Sequence, residues 1–155
     1  MYRRYVGREI NVGLLIDLHR LGMPVGGGFR REEISVGKDD LENGFLATAL
    51  NVRPFMGQLV NRINLMPAAP ARVIAFAYAF LILHPFNDGN GRVFRMMCPI
   101  LGARSQAPLW FGFSRSSKKE VGKFKRCMTH LSVGACEPMK EFLHMCIDAC
   151  QRKGV

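Results

Sequence analysis

Leu83-His84-Pro85-Phe86-Asn87-Asp88-Gly89-Asn90-Gly91-Arg92-Val93-Phe94-Arg95 brings together a titratable base, a carboxylate, an asparagine between two glycines, and two arginines. Working outward, residues 71–83 are apolar except for Arg72 and the Tyr78 hydroxyl, which reads as a buried helix. Proline disfavours helical backbone at the residue before it, so Pro85 places His84 at or just past the end of that helix. Phe86 is the large apolar side chain of the loop and is expected to anchor it to the core. Asp88-Gly89-Asn90-Gly91 is turn chemistry, with glycines free to take positive φ. A second apolar stretch, Arg92 to Ala103, restarts a helix.

This composition suits an anion accompanied by a metal. Backbone N–H groups of a glycine-rich turn at a helix N-terminus point outward with a partial positive charge of roughly half a unit. Arg92 and Arg95 are three residues apart and share a helical face. Their guanidinium forks match phosphate oxygens better than a lysine does. Asp88 offers the hard oxygen ligand that magnesium shared with a polyphosphate requires. His84, with an ordinary pKa of about 6.5, is the group able to take a proton from a hydroxyl near neutral pH.

The run His84 to Arg95 resembles the Fic motif: histidine, any residue, phenylalanine, any residue, Asp or Glu, then Gly-Asn-Gly-Arg and a second arginine three further on. Every defining position matches. The resemblance implies a mainly helical, all-α fold with a small β-hairpin flap near the active site, over a single domain spanning residues 1–155. It also implies a protein adenylyltransferase, moving AMP from ATP to a Ser, Thr or Tyr hydroxyl. By that resemblance His84 is the general base and Asp88 holds Mg2+ on the α- and β-phosphates. Gly89, Asn90 and Gly91 form the anion hole, and Arg92 and Arg95 bind the β- and γ-phosphates. Gly91 before Arg92 separates the chain from Doc-type variants, which carry lysine there and resemble kinases. Relatives that move UMP, GMP or phosphocholine through the same motif keep those transfers open as alternatives.

At 155 residues and 48% hydrophobic content the chain is long enough for one domain with a real core. Its net charge of +10 is uneven, because residues 92–155 hold twelve Lys and Arg against four Asp and Glu. A basic half suits nucleotide phosphates or an acidic partner. Nucleic acid ranks below these, since no zinc-finger spacing or reader motif is present. The five cysteines form no CxxC pair and read as buried reduced thiols. No convincing signal peptide or membrane span is found, so the expected setting is cytoplasmic, with delivery into a host cell as a toxin or effector left open.

Glu9 to Leu21 carries Ile10, Leu14, Leu15, Leu18 and Leu21 at helical spacing, and His19 reads as a surface or satisfied histidine. A glycine-rich connector follows, then Gly28-Phe29-Arg30, which resembles the lead-in to the Fic flap at about residues 28–37. Ile34, Ser35 and Val36 alternate like a short exposed strand, and in the family this edge positions the target segment by strand-like pairing. A helix is expected after Leu46, interrupted or restarted at Pro54, with Met56, Leu59, Val60 and Ile63 inward. Trp110, Phe111 and Phe113 read as core plugs, and helices are expected from Ser114 and Glu137.

Many Fic proteins carry an inhibitory helix with Ser or Thr, three residues, then Glu followed by Gly or Asn. The nearest approach here is Ser116 to Glu120, and Val121 follows it. Inhibition, if any, is therefore expected from a separate antitoxin-like partner or from sequence outside these residues, and the other expected partners are ATP and a target protein with an exposed hydroxyl.

Overall fold

The computed structural model describes residues 5, 9–25, 27–34 and 48–102. Ser35 and Val36 of the expected flap, Trp110, Phe111 and Phe113, and the helices expected from Ser114 and Glu137 lie outside the described residues. The described residues form four helices: α1 (Val12–Gly22), α2 (Val52–Leu65), α3 (Pro70–Leu83) and α4 (Asn90–Gly102). The architecture is all-α, and no strand occurs among the described residues. Ile34, the flap residue among them, is half-buried in irregular backbone.

Local chemistry sets each helix start. Asn11 is extended, and its side-chain oxygen accepts from the Leu14 N–H at 2.8 Å. That cap starts α1 at Val12 rather than at Glu9, and leaves Ile10 buried just ahead of the helix. Before α2 the chain turns, with the Asn51 N–H donating to the Thr48 carbonyl at 3.0 Å. Pro54 then falls in the first helical turn, where its missing N–H costs nothing. Val52, Met56, Leu59, Val60 and Ile63 form the buried face of α2.

α3 opens on Pro70 and lies between α2 and α4, while α1 packs on α4 and touches α2. That central position explains why α3 is apolar nearly all round. Its buried charge, Arg72, is used structurally. The guanidinium donates to the Asn64 side-chain oxygen at 3.3 Å, and the Asn64 amide donates to the Ile10 carbonyl at 2.6 Å. One polar relay thus joins α3, α2 and the entry to α1.

α4 begins at Asn90, two residues ahead of Arg92, because Gly89 takes φ +83° and turns its carbonyl into the new helix. That carbonyl accepts from the N–H groups of Arg92 at 2.9 Å and Val93 at 3.0 Å. Pro99 removes one rung inside α4. Val93, Phe94, Met97, Ile100 and Leu101 bury, as does Cys98, which is a free thiol. The core closes on Phe76, Phe80, Phe86 and Phe94, each buried almost completely.

Candidate active site

The site is the joint between α3 and α4. His84 caps α3 in the left-handed conformation, φ 44° and ψ 61°, and its N–H donates back to the Phe80 carbonyl at 3.0 Å. Left-handed backbone is uncommon for a residue with a Cβ and persists where surroundings hold it. Arg30 supplies that hold. Its Nε donates to the His84 carbonyl at 2.9 Å, and its backbone N–H donates to the Pro85 carbonyl at 2.8 Å.

Phe86 fixes the next turn. Its ring has no exposure and stacks face to face on His19, centroids 4.0 Å apart and planes 6° from parallel. Phe29 meets it at 5.4 Å and Phe80 at 6.3 Å, and Arg53 of α2 lies over the Phe29 ring. One side chain therefore gathers α1, α3, the segment before the expected flap and, through Phe29, α2. Asn90 closes the loop. Its amide oxygen accepts from the Phe86 N–H at 3.0 Å and its amide nitrogen donates to the Phe86 carbonyl at 2.6 Å. Both backbone groups of Phe86 are thus satisfied by one buried side chain, as buried polar groups require.

His19 packs against the far end of the loop. Its Nε2 lies 2.9 Å from the Asp88 carbonyl, which can only accept, so Nε2 carries the proton. Nδ1 is then an acceptor, buried with no partner among the described residues. Gly89 passes so close that a Cβ there would sit 3.2 Å from the His19 ring and 2.8 Å from Met23 Cγ. Glycine at this position is required by φ and by space together.

At the N-terminus of α4, Gly89 and Asn90 are buried and Gly91 and Arg92 are half-buried. The N–H groups of Asn90 and Gly91 precede the first intrahelical bonds, and nothing among the described residues accepts from them. The Gly89 N–H donates to Asp88 Oδ1 at 2.6 Å. Arg92 lies along the same turn, one guanidinium nitrogen against the Met23 sulfur and 3.9 Å from Asp88 Oδ2. A Cβ on Gly91 would lie 3.5 Å from an Arg95 guanidinium nitrogen, so Arg95 also reaches back over the first turn. Two amides without an acceptor among the described residues, the helix dipole and two guanidinium groups lie at this end, a combination that suits an anion.

A divalent cation fits this donor set only in company with its anion. Asp88 is three-quarters exposed, and no cluster of three or more acidic, histidine or cysteine ligands exists among the described residues. One exposed carboxylate beside a phosphate nest suits magnesium, which keeps its waters and takes the rest of its shell from substrate oxygens.

His84 is electrostatically suited to act as a base. Burial of its ring is the largest influence and pushes its pKa below 6.5. The Leu81 carbonyl works against this, the Arg30 charge adds to it, and the Asp88 charge opposes it. The imidazole is therefore neutral at pH 7, the form that accepts a proton.

Of the residues singled out in the sequence, the joint brings together His84, Phe86, Asp88, Gly89, Asn90, Gly91, Arg92 and Arg95. Ile34 lies apart from these in the irregular segment beyond Arg30. The contacts of Arg30 and His19 with the joint emerge from the structure, which buries His19 against Phe86, whereas the sequence reads it as a surface or satisfied histidine. His19 does have a sequence signal, since it follows Leu15 by four residues on the buried stripe of α1. A cleft of about 700 Å³ opens beside the loop between Met23, Gly28, Phe29 and Asp88.

Residues 9–101 match the Fic/DOC family. No curated protein and no solved structure matches the chain. Among the described residues no helix is long and apolar enough to cross a membrane.

Proposed function

Because the chain belongs to the Fic/DOC family of transferases, we propose that it transfers AMP from ATP to a Ser, Thr or Tyr hydroxyl of a target protein. The observation that carries this reading is the coupling of a neutral, backbone-fixed imidazole to an anion-binding helix end through one rigid loop. His84 takes the hydroxyl proton as the oxygen attacks the α-phosphorus. The bond between the α-phosphorus and the bridging oxygen breaks, and pyrophosphate leaves. The amides of Asn90 and Gly91 face the charge that builds on the phosphate oxygens, and Arg92 and Arg95 hold the departing phosphates. Asp88 would hold Mg2+, whose charge offsets that of the polyphosphate. Arg92 must leave its contacts with Met23 and Asp88 to do this, a small cost because the Asp88 partner is exposed. The flap around Ile34, Ser35 and Val36 is proposed to align the target segment, and a separate antitoxin-like protein to supply inhibition.

The nest reads phosphates rather than the base, so transfer of another nucleotide uses the same residues. The test is incubation with magnesium and α-labelled ATP or UTP in a cell lysate, with His84→Ala alongside. Label on a protein band from the intact chain and none from the variant supports the proposal. Label from UTP alone keeps the chemistry and changes the donor. No label from either nucleotide in several lysates, or equal label from His84→Ala, overturns it.

A further inference from the structure

We propose that Arg30 is the positioning residue for His84, fixing the backbone of the base and tying it to the segment that leads into the expected flap. The inference rests on the reading of His84 as the base, and deepens it by naming what holds that base and what connects it to target alignment.

The geometry is specific to arginine. His84 and Pro85 present two successive carbonyls at the end of α3, where the helix supplies no donors. Arg30 meets the first with its Nε at 2.9 Å and the second with its backbone N–H at 2.8 Å. Two donors from one residue on adjacent carbonyls fix the rotation of the intervening peptide, and with it the direction in which the His84 Cβ leaves the chain. The other edge of the guanidinium faces the flap side. Nη1 donates to the Glu32 carbonyl and to Glu33 Oε2, each at 3.2 Å, and Glu33 Oε1 accepts from the Ala49 N–H at 2.7 Å. A continuous chain of contacts thus runs from His84 through Arg30 and Glu33 to the turn that starts α2. Lysine keeps the charge but lacks the planar fork that serves both edges at once.

The Arg30 side chain is fully buried, whereas Glu33 is 68% exposed. The positive charge therefore lies deep, against the backbone of the base, while this carboxylate partner sits in water. The charged groups acting on the imidazole are Arg30 and Asp88, with the Leu81 carbonyl as the nearby polar group. Loss of the Arg30 charge removes an influence that disfavours the imidazolium, so a ring freed from Arg30 titrates at higher pH.

A purely structural arginine and a positioning one predict different results. The experiment follows the His84 ring by NMR across pH in the full chain, assigned with His84→Ala, for wild type, Arg30→Gln and Arg30→Lys. Thermal melting and binding of magnesium with α,β-methylene-ATP are measured on the same samples. The expected result for Arg30→Gln is an upward-moved His84 midpoint and a broadened or doubled ring signal, with nucleotide affinity within about threefold of wild type. Transfer falls roughly tenfold to a hundredfold in kcat, the scale of a misplaced reacting group. Arg30→Lys should restore part of the midpoint but not the single sharp signal. A folded Arg30→Gln with an unchanged His84 midpoint and line shape overturns the proposal. So does a loss of nucleotide affinity as large as the loss in kcat.

If Arg30→Gln does not fold, Glu33→Gln decides, because Glu33 is exposed and its loss loosens the guanidinium without emptying the core. A changed His84 signal there supports the proposal and an unchanged one overturns it. The NMR readout needs neither target nor turnover. A wild-type chain that transfers nothing, yet whose His84 signal responds to Arg30, sinks the adenylyl-transfer reading and leaves the positioning role standing.

Discussion

Among the described residues two short joints connect consecutive helices, and they are built in opposite ways. Residues 66–69 join α2 to α3, and residues 84–89 join α3 to α4. The first carries Met66, Pro67, Ala68 and Ala69. Its backbone is secured locally, by Met66 N–H to the Ile63 carbonyl and Arg72 N–H to the Ala69 carbonyl. The second is held from across the chain by Arg30 on two carbonyls and His19 on a third, and locally by Asn90 on both groups of Phe86. A helix corner needs only the first kind of construction. The excess in the second holds a left-handed histidine in place, a conformation that a residue with a Cβ leaves unless contacts prevent it.

The contrast predicts large penalties in the second joint. Phe86→Ala removes a fully buried ring in contact with three others, which should cost about 3–5 kcal/mol. That is a large share of the ~5–15 kcal/mol that separates folded from unfolded chains. Chemical denaturation measures it, and a loss under 1 kcal/mol would mean that the loop does not depend on its anchor. Asn90→Ala comes next. It leaves a buried N–H and a buried carbonyl of Phe86 without partners, for about 2–4 kcal/mol. Asn90→Asp separates the two bonds, because the carboxylate still accepts from the Phe86 N–H but faces its carbonyl without a donor. If Asp restores most of the stability lost in Ala, the amide nitrogen contributes little and the bracing is one-sided.

Gly89→Ala tests conformation and space together. The new Cβ carries a positive φ and approaches Met23 Cγ to 2.8 Å, so about 1–3 kcal/mol is expected. Met23 can swing aside, but it rests on the Arg92 guanidinium, and its movement disturbs the first turn of α4, where the proposed phosphate contacts lie. Nucleotide binding should therefore weaken along with stability. Unchanged affinity in a destabilised Gly89→Ala would separate the scaffold from the site.

The joint also carries a pH signature. The His84 pKa lies below 6.5 in the folded chain, chiefly through burial, so the unfolded chain binds more protons as pH falls through that value. Stability contributed by the neutral ring is full above about pH 6.5 and declines as pH drops toward the lowered folded value. His84→Gln should flatten that part of the stability profile. An equally steep decline in the variant would assign the acid sensitivity elsewhere.

The sequence exposes one kind of information well and another badly. Apolar spacing indicates α1 and α2, because burial of one face is a local, periodic property, and continuous apolar runs indicate α3 and α4: Leu14, Leu15 and Leu18 in α1, and Met56, Leu59, Val60 and Ile63 in α2, are inward as their spacing implies. The ends were less legible. α1 starts at the Asn11 cap and α4 at the turn made by Gly89, so both boundaries moved by two or three residues from the apolar pattern. In the joint, the dense run from His84 to Arg95 announces its chemistry, yet its supports do not. Arg30 and His19 act on backbone carbonyls 54 and 69 residues away, and a carbonyl has no residue identity for a sequence to display. Long-range bracing of backbone by side chain is invisible until the chain is folded.

The smallest predicted effect has the opposite sign and lies in the first joint. Ala69 is the N-cap of α3, extended at φ −142° and ψ 160°, and makes no side-chain cap bond. Pro70 has no N–H to satisfy, and the Arg72 N–H already donates to the Ala69 carbonyl at 3.0 Å. The Ala71 N–H is the one left for a cap to serve. Ser at position 69 suits that backbone and supplies the missing acceptor, so Ala69→Ser should stabilise by about 1 kcal/mol, raising Tm by roughly 2–4 °C. The gain is available because the backbone bonds of this corner among the described residues are local, whereas the substitutions considered at residues 86 and 90 remove contacts already made and the one at 89 adds a Cβ where there is no room. The His84 ring signal should be the same in Ala69→Ser as in wild type. A shifted His84 signal would mean that α3 transmits strain from one joint to the other, and the two would then have to be treated as a single device.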